Sequence, residues 1–148
     1  MKNGEEILKL QNQLCFPIYL CAKEMTRKYN QILKNFDLTY TQYIVMMYFW
    51  EVKTSNVKNL GKVLLLDSST LTPLLKKLEQ KGYILRKKRE SDERNLVIEL
   101  TRKGEALKNK IKSVPLKMGN CVNLEENEAK QMVLLAYKIL ENLRKDEE

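Results

Sequence analysis

The chain has 148 residues, 43% of them hydrophobic and 31% charged, enough apolar content for one domain with a core and too much for a disordered or collagen-like chain. It contains no histidine, which removes the commonest general base, the Ser-His and Cys-His nucleophile pairs and the usual imidazole ligand, so neither a metal nor a cofactor is expected. Lys and Arg number 27 against 19 Asp and Glu, and the resulting +8 favours a polyanionic partner, nucleic acid or an anionic membrane surface, without choosing between them.

The opening stretch MKNGEEILKLQNQL mixes acids with apolar residues and has no signal-peptide core. The longest apolar run, Tyr43 to Trp50, is far shorter than the roughly 18 to 20 residues of a bilayer span. Neither export nor a membrane span is expected. Cys15, Cys21 and Cys121 are an odd number without CxxC spacing, which speaks against a secreted disulfide framework or a zinc knuckle and for the reducing cytoplasm.

Leu10, Leu14, Ile18, Ala22, Met25, Tyr29 and Ile32 recur at spacings of three and four, which predicts a long first helix over about 8 to 33. Pro17 lacks an N–H and fits a helix only in its first turn, so it places Cys15 at or just before a helix N-terminus, where unpaired N–H groups solvate a thiolate. Cys21, six residues on, lies on another face beyond disulfide reach of Cys15 and reads as packing. Thr39 or Thr41 caps a second helix through Tyr43 to Val52, apolar nearly all round and therefore buried. Asn56 caps a short third helix from Val57 to about Leu65.

The stretch DSSTLTPLLKKLEQKGY is a complete helix with start and stop: Asp67, Ser68 and Ser69 are candidate caps, Leu71, Leu74, Leu75 and Leu78 form the apolar stripe, and Gly82 suits a left-handed end. YILRKKRESDERNLVIELT reads as two short strands, Tyr83 to Arg89 and the alternation around Leu96, Ile98 and Leu100, joined by a polar ESDERN loop. Thr101 opens a fifth helix with Leu107, Ile111, Val114 and Met118 on one face and a kink at Pro115; a last helix follows from Glu125, apolar through Met132, Val133, Leu135, Ala136, Ile139, Leu140 and Leu143.

This is a mainly α fold with a small β-hairpin wing: one domain over 1–148, with a winged helix-turn-helix DNA-binding lobe at 39–101 between helical dimerisation arms at 8–35 and 102–145. Apolar stripes on both arms exceed what so compact a middle needs, which predicts a homodimer. Lys76 to Lys103 holds ten basic residues against five acidic ones, a net +5 of the chain's +8, on the helix and hairpin that this fold lays on DNA. Ser68, Ser69, Thr70, Thr72 and Pro73 are expected in the N-terminal turn of the recognition helix, facing base edges and phosphates. Lys76 and Lys77 are expected to grip phosphate, and Arg86 is counted with the DNA contacts. Capping explains one of the hydroxyl residues; five small residues in six positions exceed a cap's needs.

The segments LTYTQYIVM and LDSSTLTPLLKKLEQKGYILRKKRESDERNLVIELTRKGEAL resemble the multiple antibiotic resistance regulator (MarR) family, and LCFPIYLCAKE is similar to its organic hydroperoxide resistance regulator branch. The resemblance covers residues 10 to 110; DERN followed by an alternating strand and LTxKG carries the family, and Leu14-Cys15-Phe16-Pro17 with Tyr19, Tyr29 and Tyr40 carries the branch. It implies a dimeric repressor on a pseudo-palindromic operator, with Asp92 and Arg94 holding the wing and Arg94 entering the minor groove. It also implies a sensing Cys15, with Phe16, Tyr19, Tyr29 and Tyr40 around it, that an organic hydroperoxide oxidises. Tyrosine hydroxyls are donors to a thiolate, and Phe16, Met46 and Trp50 are expected to suit an alkyl peroxide. Cys121 roughly matches a resolving cysteine of some members for the partner subunit's sensor; capping by a low-molecular-weight thiol is the competing outcome. Two rivals stand beside this reading: a family relative answering a small aromatic ligand without redox chemistry, and a thiol peroxidase, which the missing histidine and the basic hairpin disfavour.

Overall fold

The computed structural model describes residues 4–89 and 92–145, and the side chains of all of these except 89 and 92–95. The chain divides into two compact units, Met1–Val114 and Pro115–Glu148.

The first unit opens with a single turn, α1 (Gly4–Ile7), and a 3₁₀ turn, Leu10–Asn12; α2 then runs from Cys15 to Leu33. One continuous helix from about residue 8 is thus not formed. Pro17 is the third residue of α2, a first-turn position, and a helix reaching back to residue 8 would bring its ring against the carbonyl of Gln13. After the 3₁₀ turn Lys34–Phe36 the chain reverses at Asp37, which takes a left-handed φ of 52°, and enters α3 (Tyr40–Val52). Thr39 caps α3 through a capping box: its hydroxyl accepts from the Gln42 N–H while the Gln42 amide oxygen accepts from the Thr39 N–H. Val45, Met46, Phe49 and Trp50 make α3 the centre of the core.

A three-residue strand, β1 (Thr54–Asn56), leads into α4 (Val57–Leu64), capped by Asn56, and α5 (Ser68–Gln80), capped by Asp67. Leu71, Leu74, Leu75 and Leu78 are all buried on one side of α5, each contributing roughly 1.5–3 kcal/mol. Pro73 is the sixth residue of α5, beyond the first turn expected for it. Its missing N–H leaves the Ser69 carbonyl without its helical partner, an exposed site where water can serve.

β2 (Ile84–Arg89) and β3 (Asp92–Leu100) pair antiparallel, with Ile84 opposite Leu100 and Lys88 opposite Leu96. The ESDERN segment expected as a loop is mostly strand, since β3 begins at Asp92 and the register shift between Lys88 and Arg89 absorbs the difference. β1, absent from the sequence reading, adds to the far side of β3, Ser55 opposite Ile98, giving the order β1-β3-β2. Three residues show no alternation to read; β1 forms because β3 offers it an edge, and the Tyr48 and Ser55 hydroxyls hydrogen-bond at 2.8 Å.

The fifth helix of the sequence reading is broken into α6 (Arg102–Lys110), capped by Thr101, and α7 (Ser113–Val122). Pro115 is the third residue of α7, so it opens a new helix and does not kink a continuous one. Leu107, Ile111, Val114 and Met118 are nonetheless all buried, as their spacing requires. The second unit holds the remainder of α7 and α8 (Glu126–Arg144), on which Met132, Val133, Leu135, Leu140 and Leu143 are exposed.

Candidate DNA interface and thiol site

On α5 the four buried leucines leave Ser69, Thr72, Pro73, Lys76, Lys77 and Gln80 on the outward face. The Asp67 carboxylate organises its start, accepting from the Ser69 hydroxyl at 2.7 Å and the Thr70 N–H at 2.8 Å; these bonds, the Ser69 one foremost, hold Asp67 below the usual carboxylate range. The Thr72 hydroxyl donates to the Ser68 carbonyl at 2.7 Å. Ser69 and Thr72 therefore commit their protons to the helix and present acceptor lone pairs outward, suited to base amines and not to phosphates. Ser68 and Thr70 are exposed beside them, and neither Lys76 nor Lys77 forms an ion pair among the described residues.

Arg86, expected among the DNA contacts, is also engaged within the chain. Its Nε and Nη2 both lie 2.8 Å from Glu79 Oε2, while its backbone N–H donates to Glu79 Oε1 at 2.9 Å. This fork of bonds fastens β2 to α5 and so fixes the wing against the recognition helix. The bond from the Arg86 backbone N–H foremost, with the hydrogen bond and charge of its guanidinium, outweighs the opposing effect of burial and keeps Glu79 below the ordinary carboxylate range. A lowered folded-state value stabilises above the unfolded value, so the brace is present at neutral pH and weakens as acid approaches the lowered value. Asp92 and Arg94 lie on the backbone of β3, and their side chains fall outside the described residues.

Cys15 is the first residue of α2 and exposed, and no side chain caps that helix start. Tyr19 is exposed one turn on, on the same face, and Phe16 is half-buried. Tyr29 stacks on Tyr40 with ring centroids 4.4 Å apart, and Tyr43, which the sequence reading did not group with them, completes the cluster at 6.0 Å from Tyr29. Burial raises all three phenols above their ordinary value, so at neutral pH they are donors.

Tyr29 is fourteen residues along α2 from Cys15, about 21 Å of helix rise, so neither it nor Tyr40 surrounds the thiol of its own chain. Met46 and Trp50 are likewise core residues, Trp50 Nε1 donating to the Gly104 carbonyl at 2.9 Å, and do not form the expected peroxide pocket in this chain. Cys21 is exposed, not packed as expected. Cys121 is exposed in the last turn of α7, and Asn123, just after the helix, takes a left-handed φ of 50°. Among the described residues no cluster of side chains is arranged to hold a metal ion, and no helix is long and apolar enough to cross a membrane.

Comparison with known proteins agrees with this arrangement. The family described as transcriptional regulator SarA/Rot matches residues 27–111. The chain is 48% identical over 124 residues to the HTH-type transcriptional regulator SarZ of Staphylococcus aureus, covering 84% of each. It is 41% identical over 143 residues to the organic hydroperoxide resistance transcriptional regulator of Bacillus subtilis, covering 97% of each. Among solved structures it resembles AbfR of Staphylococcus epidermidis: reduced and bound to DNA, with TM-score 0.84 and 32% identity over the whole of both chains, and disulfide-formed, with TM-score 0.64, 33% identity and coverage of 95% and 93%.

Proposed function

Since the chain belongs to the SarA/Rot family of transcriptional regulators and is a MarR-type winged-helix DNA-binding protein, not an enzyme, we propose that it is a redox-sensing repressor that releases its operator when Cys15 is oxidised. The observation that carries this reading is an exposed cysteine on an uncapped helix start in a winged-helix chain. The Cys15 thiolate attacks the outer oxygen of an organic hydroperoxide; the O–O bond breaks, sulfur gains that oxygen as a sulfenic acid, and the peroxide leaves as an alcohol after taking up a proton. Condensation with a second thiol then forms a disulfide and releases water. The name of the Bacillus subtilis relative and the reduced and disulfide-formed states of AbfR support this chemistry.

The protein acts as a homodimer. The exposed apolar residues of α8 in the second unit and, separately, Leu10, Leu14 and Ile18 around the start of α2 in the first are the residues a second copy covers. The 21 Å between Cys15 and the tyrosine cluster then has a function: Tyr29 and Tyr40 of one protomer are donors for Cys15 of the other. Cys121 is the resolving thiol, in competition with a low-molecular-weight thiol. Non-reducing electrophoresis and peptide mass spectrometry after a mild hydroperoxide dose test this. A Cys15–Cys121 pair joining two chains is expected; Cys15 found only with a small-thiol adduct removes Cys121 from the mechanism, and unmodified Cys15 in released protein removes the reading altogether.

On DNA, α5 enters the major groove through Ser68, Ser69, Thr70, Thr72 and Pro73, Lys76 and Lys77 hold phosphate, and the wing carries Arg94, positioned by Asp92, into the minor groove. Replacing Lys76 and Lys77 together by Ala is expected to weaken specific and nonspecific DNA alike and to make the slope of log affinity against log salt shallower by about 0.9 per phosphate lost. Loss at a single base position would show that they read sequence. Arg94→Ala is expected to cost about 1–3 kcal/mol of operator affinity with dimer and fold intact. Wild-type affinity in that variant would remove the wing contact.

A further inference from the structure

We propose that Lys81 is a positioning residue that transmits the state of the sensor helix α2 to the recognition helix α5; the proposal rests on the redox reading above. Lys81 follows α5 directly and its side chain is 25% exposed. Its ammonium meets three oxygens in the reversal between α2 and α3, hydrogen-bonding to two and ion-pairing with the third. They are the Asp37 carbonyl, the Asp37 carboxylate at 3.2 Å and the buried Gln42 amide oxygen at 3.5 Å. The carboxylate is 91% exposed and adds little; the main-chain carbonyl and the buried amide are the anchors.

That reversal is itself tied to α2. The Asn30 amide oxygen, on the last turn of α2, accepts from the Tyr40 N–H at 2.7 Å, and Tyr29 stacks on Tyr40. Gln42 Oε1 is the same atom that closes the capping box on Thr39. On the other side, Lys103 at the start of α6 donates to the Lys81 carbonyl at 2.7 Å, its ammonium 5.3 Å from the Tyr83 ring. Lys81 thus joins the end of α2 to the start of α6 through the C-terminal end of α5. Any displacement of the tyrosine cluster or of the α2 end reaches α5 at that point. α5 is about 20 Å long, so a pivot of roughly five degrees there moves its first turn by nearly 2 Å, enough to break base contacts.

The test uses the full chain as wild type, Lys81→Met, Lys81→Arg and Asp37→Asn. Operator affinity is measured reduced, across a salt series, and again after cumene hydroperoxide, with Cys15 oxidation followed by mass spectrometry. Lys81→Met is expected to bind reduced operator about tenfold more weakly at an unchanged salt slope, to oxidise at the wild-type rate, and to shrink the oxidised-to-reduced affinity ratio about tenfold. Lys81→Arg keeps donors on the same acceptors and recovers most of both; Asp37→Asn changes neither by more than about twofold. Lys81→Gln replaces the Met variant should that one not fold. A salt slope shallower by about one makes Lys81 a phosphate contact, and affinity and ratio both within twofold of wild type make it packing; either result overturns the proposal. If the wild type keeps its operator through oxidation, the redox reading fails separately, and reduced affinities at Lys81 still decide this one.

Discussion

Cys15→Ser is expected to stay on its operator through a hydroperoxide dose that strips the wild type from it. A hydroxyl in place of the thiol keeps size and hydrogen bonding at the exposed start of α2, so folding, dimerisation and reduced-state DNA affinity are expected within about 0.5 kcal/mol of wild type. What the substitution removes is the nucleophile, since serine at neutral pH does not attack an O–O bond. For the wild type a hundredfold loss of affinity on oxidation corresponds to about 2.7 kcal/mol, and the variant is expected to show none of it. Fluorescence anisotropy of a labelled operator, before and after cumene hydroperoxide and again after dithiothreitol, measures this directly. Cys121→Ser separates sensing from resolution: its Cys15 still oxidises, but release is slower and the sulfenic acid proceeds further to sulfinic acid. Because Cys21 and Cys121 are also exposed, release of Cys15→Ser at the wild-type dose would move the sensor to one of them.

The elements with strong local signals were legible in the sequence. Asn56, Asp67 and Thr101 each cap the helix they precede, and the leucines of α5 are buried as their spacing demands. Two prolines were harder to place, because a proline marks a helix start and a helix interior with the same missing N–H. Pro115 opens α7 where a kink was expected, and Pro73 sits inside α5 where a first turn was expected. β1 was invisible because its three residues pair only through β3, more than forty positions on. The T-x-x-Q spacing of Thr39 and Gln42 is the local signature of the capping box that starts α3. In the thiol site, the helix start at Cys15 follows from Pro17 alone. Tyr29 and Tyr40 could not be placed by motif, because a motif says which residues share a site and not whether one chain supplies them all. The Arg86–Glu79 pair was not legible for a related reason: composition counts a charge and does not show what it faces.

Gly104→Ala is expected to destabilise the protein by about 3 kcal/mol or more, on the order of 10 °C in thermal midpoint. A Cβ at this position would stand 2.2 Å from the Tyr83 carbonyl oxygen and 2.7 Å from Leu100 Cδ1. The first of these is backbone at the root of the wing and cannot swing aside, since that oxygen already accepts the Thr101 N–H at 3.1 Å. α6 must therefore move away from β2 and β3, and the buried bond from Trp50 Nε1 to the Gly104 carbonyl is lost with it. This is the physical content of the glycine in LTRKG: close approach, not a special φ. Gly82→Ala is the internal control. There the residue adopts φ +77°, but the nearest atom to a new Cβ is the flexible Lys103 side chain at 3.4 Å, so only the left-handed strain, about 1 kcal/mol, is incurred. Urea unfolding of the two variants distinguishes crowding from strain. Operator binding adds a second measure: below its midpoint Gly104→Ala is expected to bind more weakly than Gly82→Ala, because displacing α6 tilts the wing whereas a strained turn leaves it in place. Equal stability losses in the two variants would mean that α6 yields without cost and that close packing at Gly104 does not fix the wing.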